Sequence, residues 1–427
     1  MNEFFEFFSF ADANVRYVTL GSVLLASSSA VVGCFTLLRK RALVGDAVAH
    51  AVLPGVCLAF ILSGTKNPLI LLIGAFITGW LSLIAIDFIT SRSRIKEDTA
   101  IGLVLSVFFG VGILLLTAIQ HSGNAAQSGL DKFLFGKAAS LVGDDLIAFG
   151  VVAVLLLIAT VLFYKELKLL CFDETFARTI GFPVRGLELL LTTLTVLAVV
   201  VGIQAVGVVL MAAMLITPAA AARFWTDRLG LMLVLAALMG AFSGVAGAFV
   251  SYTAPAMPTG PWIVLIISMI AILSFAFAPK KGWVARLLRQ RTNKTLILEE
   301  NLLKLMYQLG EPDQDFYRPR PIKELLARRA IPAKTAKIGL HKLRRQGYLE
   351  RQPEGWSMTM EGVSRGRRVV RLHRLWELYL TQYLHLASDH VHEDAETIEH
   401  IITPELEQRL MIELNYPVLD PHSSKIP

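Results

Sequence analysis

The sequence predicts an all-α polytopic membrane protein with eight or nine transmembrane helices, followed by a mainly α cytoplasmic tail made of a winged helix and a second helical module. Three observations carry this. The 427 residues are 54% hydrophobic and only 18% charged, where a soluble domain has about 25% charged residues. The charge is unevenly spread: residues 1–280 hold 17 Lys/Arg and 15 Asp/Glu, and residues 281–427 hold 24 and 19. The tail is itself divided, since 281–374 carries 22 basic and 9 acidic groups and 375–427 carries 2 and 10. One chain is thus built for lipid first and water second, which excludes an ordinary soluble enzyme. The basic part fits an anionic partner, and the acidic part fits cations.

A spanning helix needs about 20 mostly apolar residues. Spans are expected at 17–38, 45–63, 68–90, 99–119, 144–165, 186–203, 205–222, 230–252 and 260–278. Only Gln204 separates the sixth and seventh, so they read as two helices or as one broken helix. Basic clusters orient the spans. Arg39-Lys40-Arg41, Arg92/Arg94/Lys96, Lys165/Lys168, Arg223/Arg228 and Lys280/Lys281 fall on one side if nine helices alternate. The N-terminus is then outside and the tail cytoplasmic. Residues 1–12 lack a basic n-region, so the first span is expected to be retained rather than cleaved. Residues 120–143 read as an outer loop with a short amphipathic helix. Cys34, Cys57 and Cys171 are far apart, with neither a disulfide framework nor a zinc spacing.

Two features of this half carry chemistry. Asp46 and His50 stand four residues apart in LVGDAVAHAVLPGV, on one helix face. Ionisable groups inside a membrane are expensive and usually functional. Carboxylate plus imidazole suits Mn²⁺, Zn²⁺ or Fe²⁺. The bland alternative is that Asp46 caps the helix and His50 bonds to a neighbour. Pro54-Gly55 predicts a kink beside the pair. Asp87 lies near the end of its span, where it can simply reach the interface. The second feature is CFDETFARTIGFPVR, residues 171–185, which reads as a short helix along the membrane surface or as a solvated loop. Its acids Asp173 and Glu174 stand at the start, Phe176 stands one turn after Phe172, and Gly181 and Pro183 stop it.

LRKRALVGDAVAHAVLPGV, FDETFARTIGFPV, VGVVLMAAMLITPAAAARF and APAMPTGPWIVL together resemble the membrane permease subunit of metal-ion ABC transporters of the manganese/zinc/iron chelate type, over about residues 17–280. The resemblance implies a second permease chain, a separate cytoplasmic ATPase and an extracytoplasmic metal-binding protein. It also implies that Asp46 and His50 meet the ion, and that Asp173, Glu174, Phe176 and Gly181 belong to the segment on which the ATPase acts. The sequence has no GxxxxGK[ST] run, so ATP is expected to be bound by another polypeptide and this chain is not itself an enzyme.

The tail begins with KGWVARLLRQRTNK, a basic amphipathic linker at 281–295. Helical apolar spacing follows at Leu298, Leu302, Leu305 and Leu309, then IKELLARRA, then a helix opened by Pro332 and ended by Gly347. Two strand-like runs flank Pro353-Glu354-Gly355. Three helices and a hairpin make a winged helix at 296–362. Its third helix carries Lys334, Thr335, Lys337, His341 and Lys342, chemistry suited to DNA phosphates and base edges or to a protein contact. In 363–427, His392, Glu396, Glu399 and His400 share an arc of about 100° on one helix. His373 and Glu377 are again i,i+4 on the helix before. Six N/O donors favour Mn²⁺, Fe²⁺ or Zn²⁺.

This region, RLHRLWELYL, VHEDAETIEHIITPELEQRL and DPHSSKIP included, resembles the metal-dependent repressors of the diphtheria-toxin-repressor and manganese-regulator type over about 296–427. The resemblance implies a helical metal-binding and dimerisation domain, with His373, Glu377, His392, Glu396, Glu399 and His400 at its ligand positions. Glu396 tilts the ion toward manganese. The family takes a further ligand from its first helix, where this chain has Asn301 and Lys304, and a charged lysine cannot ligate. The expected function is a metal-import permease with a metal-sensing tail that regulates it. The alternatives are a membrane-tethered DNA-binding regulator and an ion-coupled transporter with no ATPase.

Overall fold

The computed structural model describes residues 2–427 except 66, 122–142, 255–256, 330, 385–401 and 423. The chain divides into two compact units, Met1–Arg286 and Leu287–Pro427.

The first unit is all helix. A short helix α1 (Asn2–Ser9) precedes α2 (Ala13–Leu38), whose first turn is capped by the Asp12 carboxylate. Then come α3 (Val44–Ala51), α4 (Leu53–Ser63), α5 (Pro68–Arg92) and α6 (Glu97–His121). After α7 (Gly143–Leu162), the short α8 (Tyr164–Phe172) and α9 (Glu174–Thr179) lead into α10 (Val184–Val206). The unit closes with α11 (Val208–Trp225), α12 (Leu229–Thr253) and α13 (Thr259–Phe277). Among the described residues eight stretches are long and apolar enough to cross a membrane: α2, α3 with α4, α5, α6, α7, α10, α12 and α13. The seventh expected span, 205–222, corresponds to α11, whose apolar part, Leu210–Trp225, is shorter.

Burial sorts these helices. α2, the α3–α4 pair and α10 are mostly buried, whereas α6, α7 and α13 keep apolar surface open, the pattern of inner and lipid-facing helices. The sequence placed the break between the sixth and seventh spans at Gln204. The structure puts it at Gly207, which stands at φ 88 and ψ 166, a region essentially restricted to glycine. Gln204 is buried inside α10. The expected kink beside Asp46 and His50 is a turn at Val52 between α3 and α4. Pro54 has no N–H, so the carbonyl of His50 has no helical donor four residues on. α4 and α5 touch through glycines: a Cβ on Gly55 would lie 2.1 Å from the Gly74 carbonyl oxygen.

The second unit is built on α14 (Trp283–Asp313), α15 (Ile322–Arg328) and α16 (Ala333–Arg345), with β1 (Leu349–Gln352) antiparallel to β2 (Gly355–Met358). This is the expected winged helix. Its core joins Leu302, Met306, Leu325, Leu340, Trp356 and Val370. Residues 281–295, expected as a linker, are helical from Trp283 and run unbroken into α14. α17 (Met360–Tyr383), capped by Thr359, and α18 (Pro404–Glu413) follow. Glu300 pairs with Arg365, and Glu311 holds Arg374 at 2.7 and 2.8 Å. Arg374 also donates to the Lys425 carbonyl at 2.6 Å. These contacts fasten α14 to α17.

Candidate functional site

α3 is buried along Val44, Ala47, Val48 and Ala51, while Asp46 and His50 occupy its more open face. Their side chains are 42% and 21% exposed, and Asp46 Oδ1 lies 3.6 Å from His50 Nε2. That is too long for a hydrogen bond. It is close to the span, about 3.4 Å, between two ligands each about 2.1 Å from one ion at a tetrahedral angle. The bland alternatives find no support. The N-cap of α3 is Leu43, with no side-chain cap bond. His50 Nδ1 is buried with no hydrogen-bond partner among the described residues. The ring meets Phe109 of α6 edge-on at 5.0 Å between centroids.

Within the polar segment 171–185, α8 ends at Phe172, the short helix α9 spans Glu174–Thr179, and α10 begins at Val184. Asp173 caps α9, accepting from the Phe176 N–H at 2.8 Å. Gly181 ends it at φ +88, with open space where a Cβ would stand. Phe172, Phe176, Ile180 and Phe182 are each exposed. Glu174 is engaged inward. It accepts from Arg39 Nη1 at 2.9 Å and from Arg178 at 2.5 Å. Arg39, with Arg178 beside it, holds the Glu174 carboxyl below the usual carboxylate range.

Sequence reasoning missed what surrounds this pairing. Arg39 also donates to Glu188 at 2.6 Å, and Arg41 meets Asp87 at 3.2 Å and Glu97 at 3.0 Å. Arg39 and Arg41 were legible only as topology markers, because their partners lie far along the chain. Asp87, which reads as reaching the interface, pairs with Arg41.

In the tail, His373 Nε2 and Glu377 Oε1 lie 3.0 Å apart, each side chain 3% exposed. The other four expected ligands, His392, Glu396, Glu399 and His400, lie outside the described residues. Among the described residues no group of three His, Cys, Asp or Glu side chains could hold a metal ion. Asn301 accepts from Arg329 at 3.2 Å, and Lys304 is buried, 2% exposed. On α16, Lys334, Thr335, Lys337, His341 and Lys342 are all exposed. Lys342 reaches Glu299 at 2.7 Å, and the His341 ring rests against Trp356.

The sequence profile of the ABC 3 transport family matches residues 11–278. The chain belongs to that family. A second profile, the iron dependent repressor metal binding and dimerisation domain, matches residues 359–427. The manganese transport system membrane protein MntC of Bacillus subtilis (strain 168) is 43% identical over 376 residues, covering 88% of this chain and 86% of the relative. The zinc transport system membrane protein TroC of Treponema pallidum (strain Nichols) is 44% identical over 291 residues, covering 68% of this chain and 97% of the relative. Among solved structures, a chain of PsaBC from Streptococcus pneumoniae in complex with Fab superposes with a TM-score of 0.59 at 35% identity, covering 67% of this chain and 99% of that chain. This ABC 3 family member is therefore a multi-pass permease subunit carrying a repressor-like tail, and ATP hydrolysis belongs to a separate subunit.

Proposed function

We propose that the chain is the permease subunit of an ATP-driven importer of a divalent transition metal, manganese first and zinc or iron next, in a bacterial plasma membrane. The single observation that carries this is the Asp46–His50 pair, spaced for one shared cation, with an orphan ring nitrogen on a helix whose next turn is broken by proline. The ion is the substrate. Asp46 supplies a hard anionic oxygen and His50 a borderline nitrogen, a set that admits Mn²⁺ or Zn²⁺ and disfavours soft monovalent ions. The half-open face of the pair leaves room for a second permease chain to complete the path. An extracytoplasmic metal-binding protein delivers the ion, with the N-terminus outside and the tail inside. The ATPase docks on α8 and α9 around Phe176 and Gly181, positioned by Asp173 and Glu174.

The reading divides the chain into a permease domain at 1–280, a helical linker at 281–295, a winged helix at 296–362 and a metal-sensing, dimerising domain at 363–427. His373 and Glu377, with His392, Glu396, Glu399 and His400, would hold a regulatory divalent metal. The exposed basic face of α16 retains an ability to meet DNA, and the tail's main role is feedback on import. Metal uptake by the complete transporter tests the path. Asp46→Ala and His50→Ala should each abolish uptake of radioactive Mn²⁺ while the ATPase still co-purifies with the chain. Normal uptake in either variant would overturn the assignment.

A further inference from the structure

α3 carries Asp46 and His50 but is only eight residues long. A helix that short takes its placement from its neighbours rather than from its own propensity. Gly45, the buried residue just before Asp46, is where α11 comes close. A Cβ on Gly45 would lie 2.8 Å from Leu215 Cδ2 and 3.9 Å from the Ala212 Cα, both on α11. Leu215 is fully buried, and its other side meets α2, since a Cβ on Gly33 would collide with the Leu215 carbonyl oxygen. One residue thus sits between two glycines, its backbone against α2 and its side chain against α3. Alanine is a better helix former than glycine, so Gly45 weakens α3 as an isolated helix. What it supplies in return is room for Leu215. Leu215 stands in the middle of VGVVLMAAMLITPAAAARF, one of the stretches on which the family resemblance rests.

We propose that Leu215 is a positioning residue for the cation pair: wedged between Gly33 and Gly45, it fixes how α3 is rotated, and so where Asp46 and His50 are aimed and which ion they favour. This deepens the reading of the chain as a divalent-metal permease and rests on it. The His50 ring lies edge-on against Phe109 of α6. Rotating α3 therefore moves Asp46 while Phe109 restrains His50, and the 3.6 Å separation of the pair changes. The chemistry gives this its consequence. At one set of N and O donors Zn²⁺ binds more tightly than Mn²⁺, so a preference for manganese must be geometric. A wedge that holds α3 in one rotation supplies such a constraint, and loosening or overfilling it shifts the balance toward Zn²⁺.

The test measures Mn²⁺ uptake by the full chain with its ATPase in vesicles, as KM, maximal rate and inhibition by Zn²⁺. Gly45→Ala should raise the KM for Mn²⁺ about tenfold and let Zn²⁺ inhibit at about tenfold lower concentration, the size of effect seen when a group that orients a metal ligand is disturbed. The maximal rate should be kept. Adding Leu215→Val, which withdraws Cδ2 from the new methyl, should restore most of both values. A variant that merely folds less well would lower the maximal rate and leave KM and Zn²⁺ inhibition alone. That outcome, native values throughout, or a double variant no better than Gly45→Ala overturns the wedge, and if Asp46→Ala is inactive in the same assay the permease reading stands. If Asp46→Ala takes up Mn²⁺ normally, the reading itself fails. Should Gly45→Ala not assemble, Leu215→Val alone decides: stronger inhibition by Zn²⁺ supports the wedge, and native inhibition overturns it.

Discussion

Gly181 stands in the left-handed region at φ +88 with nothing within reach of an added Cβ, so any penalty for a side chain there comes from the backbone alone. That penalty is about 1–2 kcal/mol for most residues and smaller for Asn. Gly181→Val should therefore uncouple ATP hydrolysis from Mn²⁺ uptake, while Gly181→Asn should keep both. Equal activity in the two variants would show that the turn does not matter to coupling. At this scale the sequence was informative wherever partners are close in the chain. Asp46 and His50 were legible because a helix brings i and i+4 together, and Asp173 because an acid before a short apolar run is a cap. Glu174 was legible as part of the segment but not as a partner of Arg39, which lies 135 residues earlier. No local pattern encodes such a pairing, since it forms only once helices distant in the chain are packed together.

The breaks between elements follow from one or two residues each. Val52 turns because Pro54 withdraws a donor, and α10 parts from α11 because Gly207 adopts φ 88 and ψ 166. Forcing another residue into such a conformation costs on the order of 1–3 kcal/mol. Gly207→Ala should lower the melting temperature of the purified chain and reduce transport, because the relaxed backbone would merge two helices that pack on α2 and α3. A melting temperature unchanged from the native chain would mean that Gly207 is not required for the break. Helix existence was readable from apolar runs, but this break was misplaced by three residues. Hydropathy does not distinguish a glycine that bends the chain from a buried glutamine that merely interrupts an apolar stretch. In the tail, the winged helix was legible from leucine spacing, Pro332, Gly347 and the turn at Pro353–Glu354. The fastening of α14 to α17 through Glu300–Arg365 and Glu311–Arg374 was not.

The molecule as a whole joins two units with separate cores, and the charge contrast along the sequence announced both. Composition says nothing of what metal would do to the tail. A metal that binds only the folded tail stabilises it by RT ln(1 + [L]/Kd), about 2.7 kcal/mol at a hundredfold excess. Mn²⁺ should raise the melting temperature of a 287–427 fragment, and His373→Ala with Glu377→Ala should remove that rise. In the full transporter, deleting 287–427 should leave import intact and abolish its inhibition by Mn²⁺ loaded inside vesicles. If the truncated transporter is inhibited as the full chain is, feedback through the tail is wrong.

The contact of α4 with α5 at Gly55 and Gly74 has a mechanical meaning. With backbone lying on backbone, no compressible layer of side chains separates the two helices, and such close approaches are how small residues join helices in membranes. They behave as one stiff plate. A stroke that tilts α5, whose end carries Asp87, must swing α4 with it, and α4 is joined to α3 at the turn that follows His50. The transporter therefore does not need to squeeze its cation along. It can rock a board on which one edge carries Asp87 and the other adjoins Asp46 and His50.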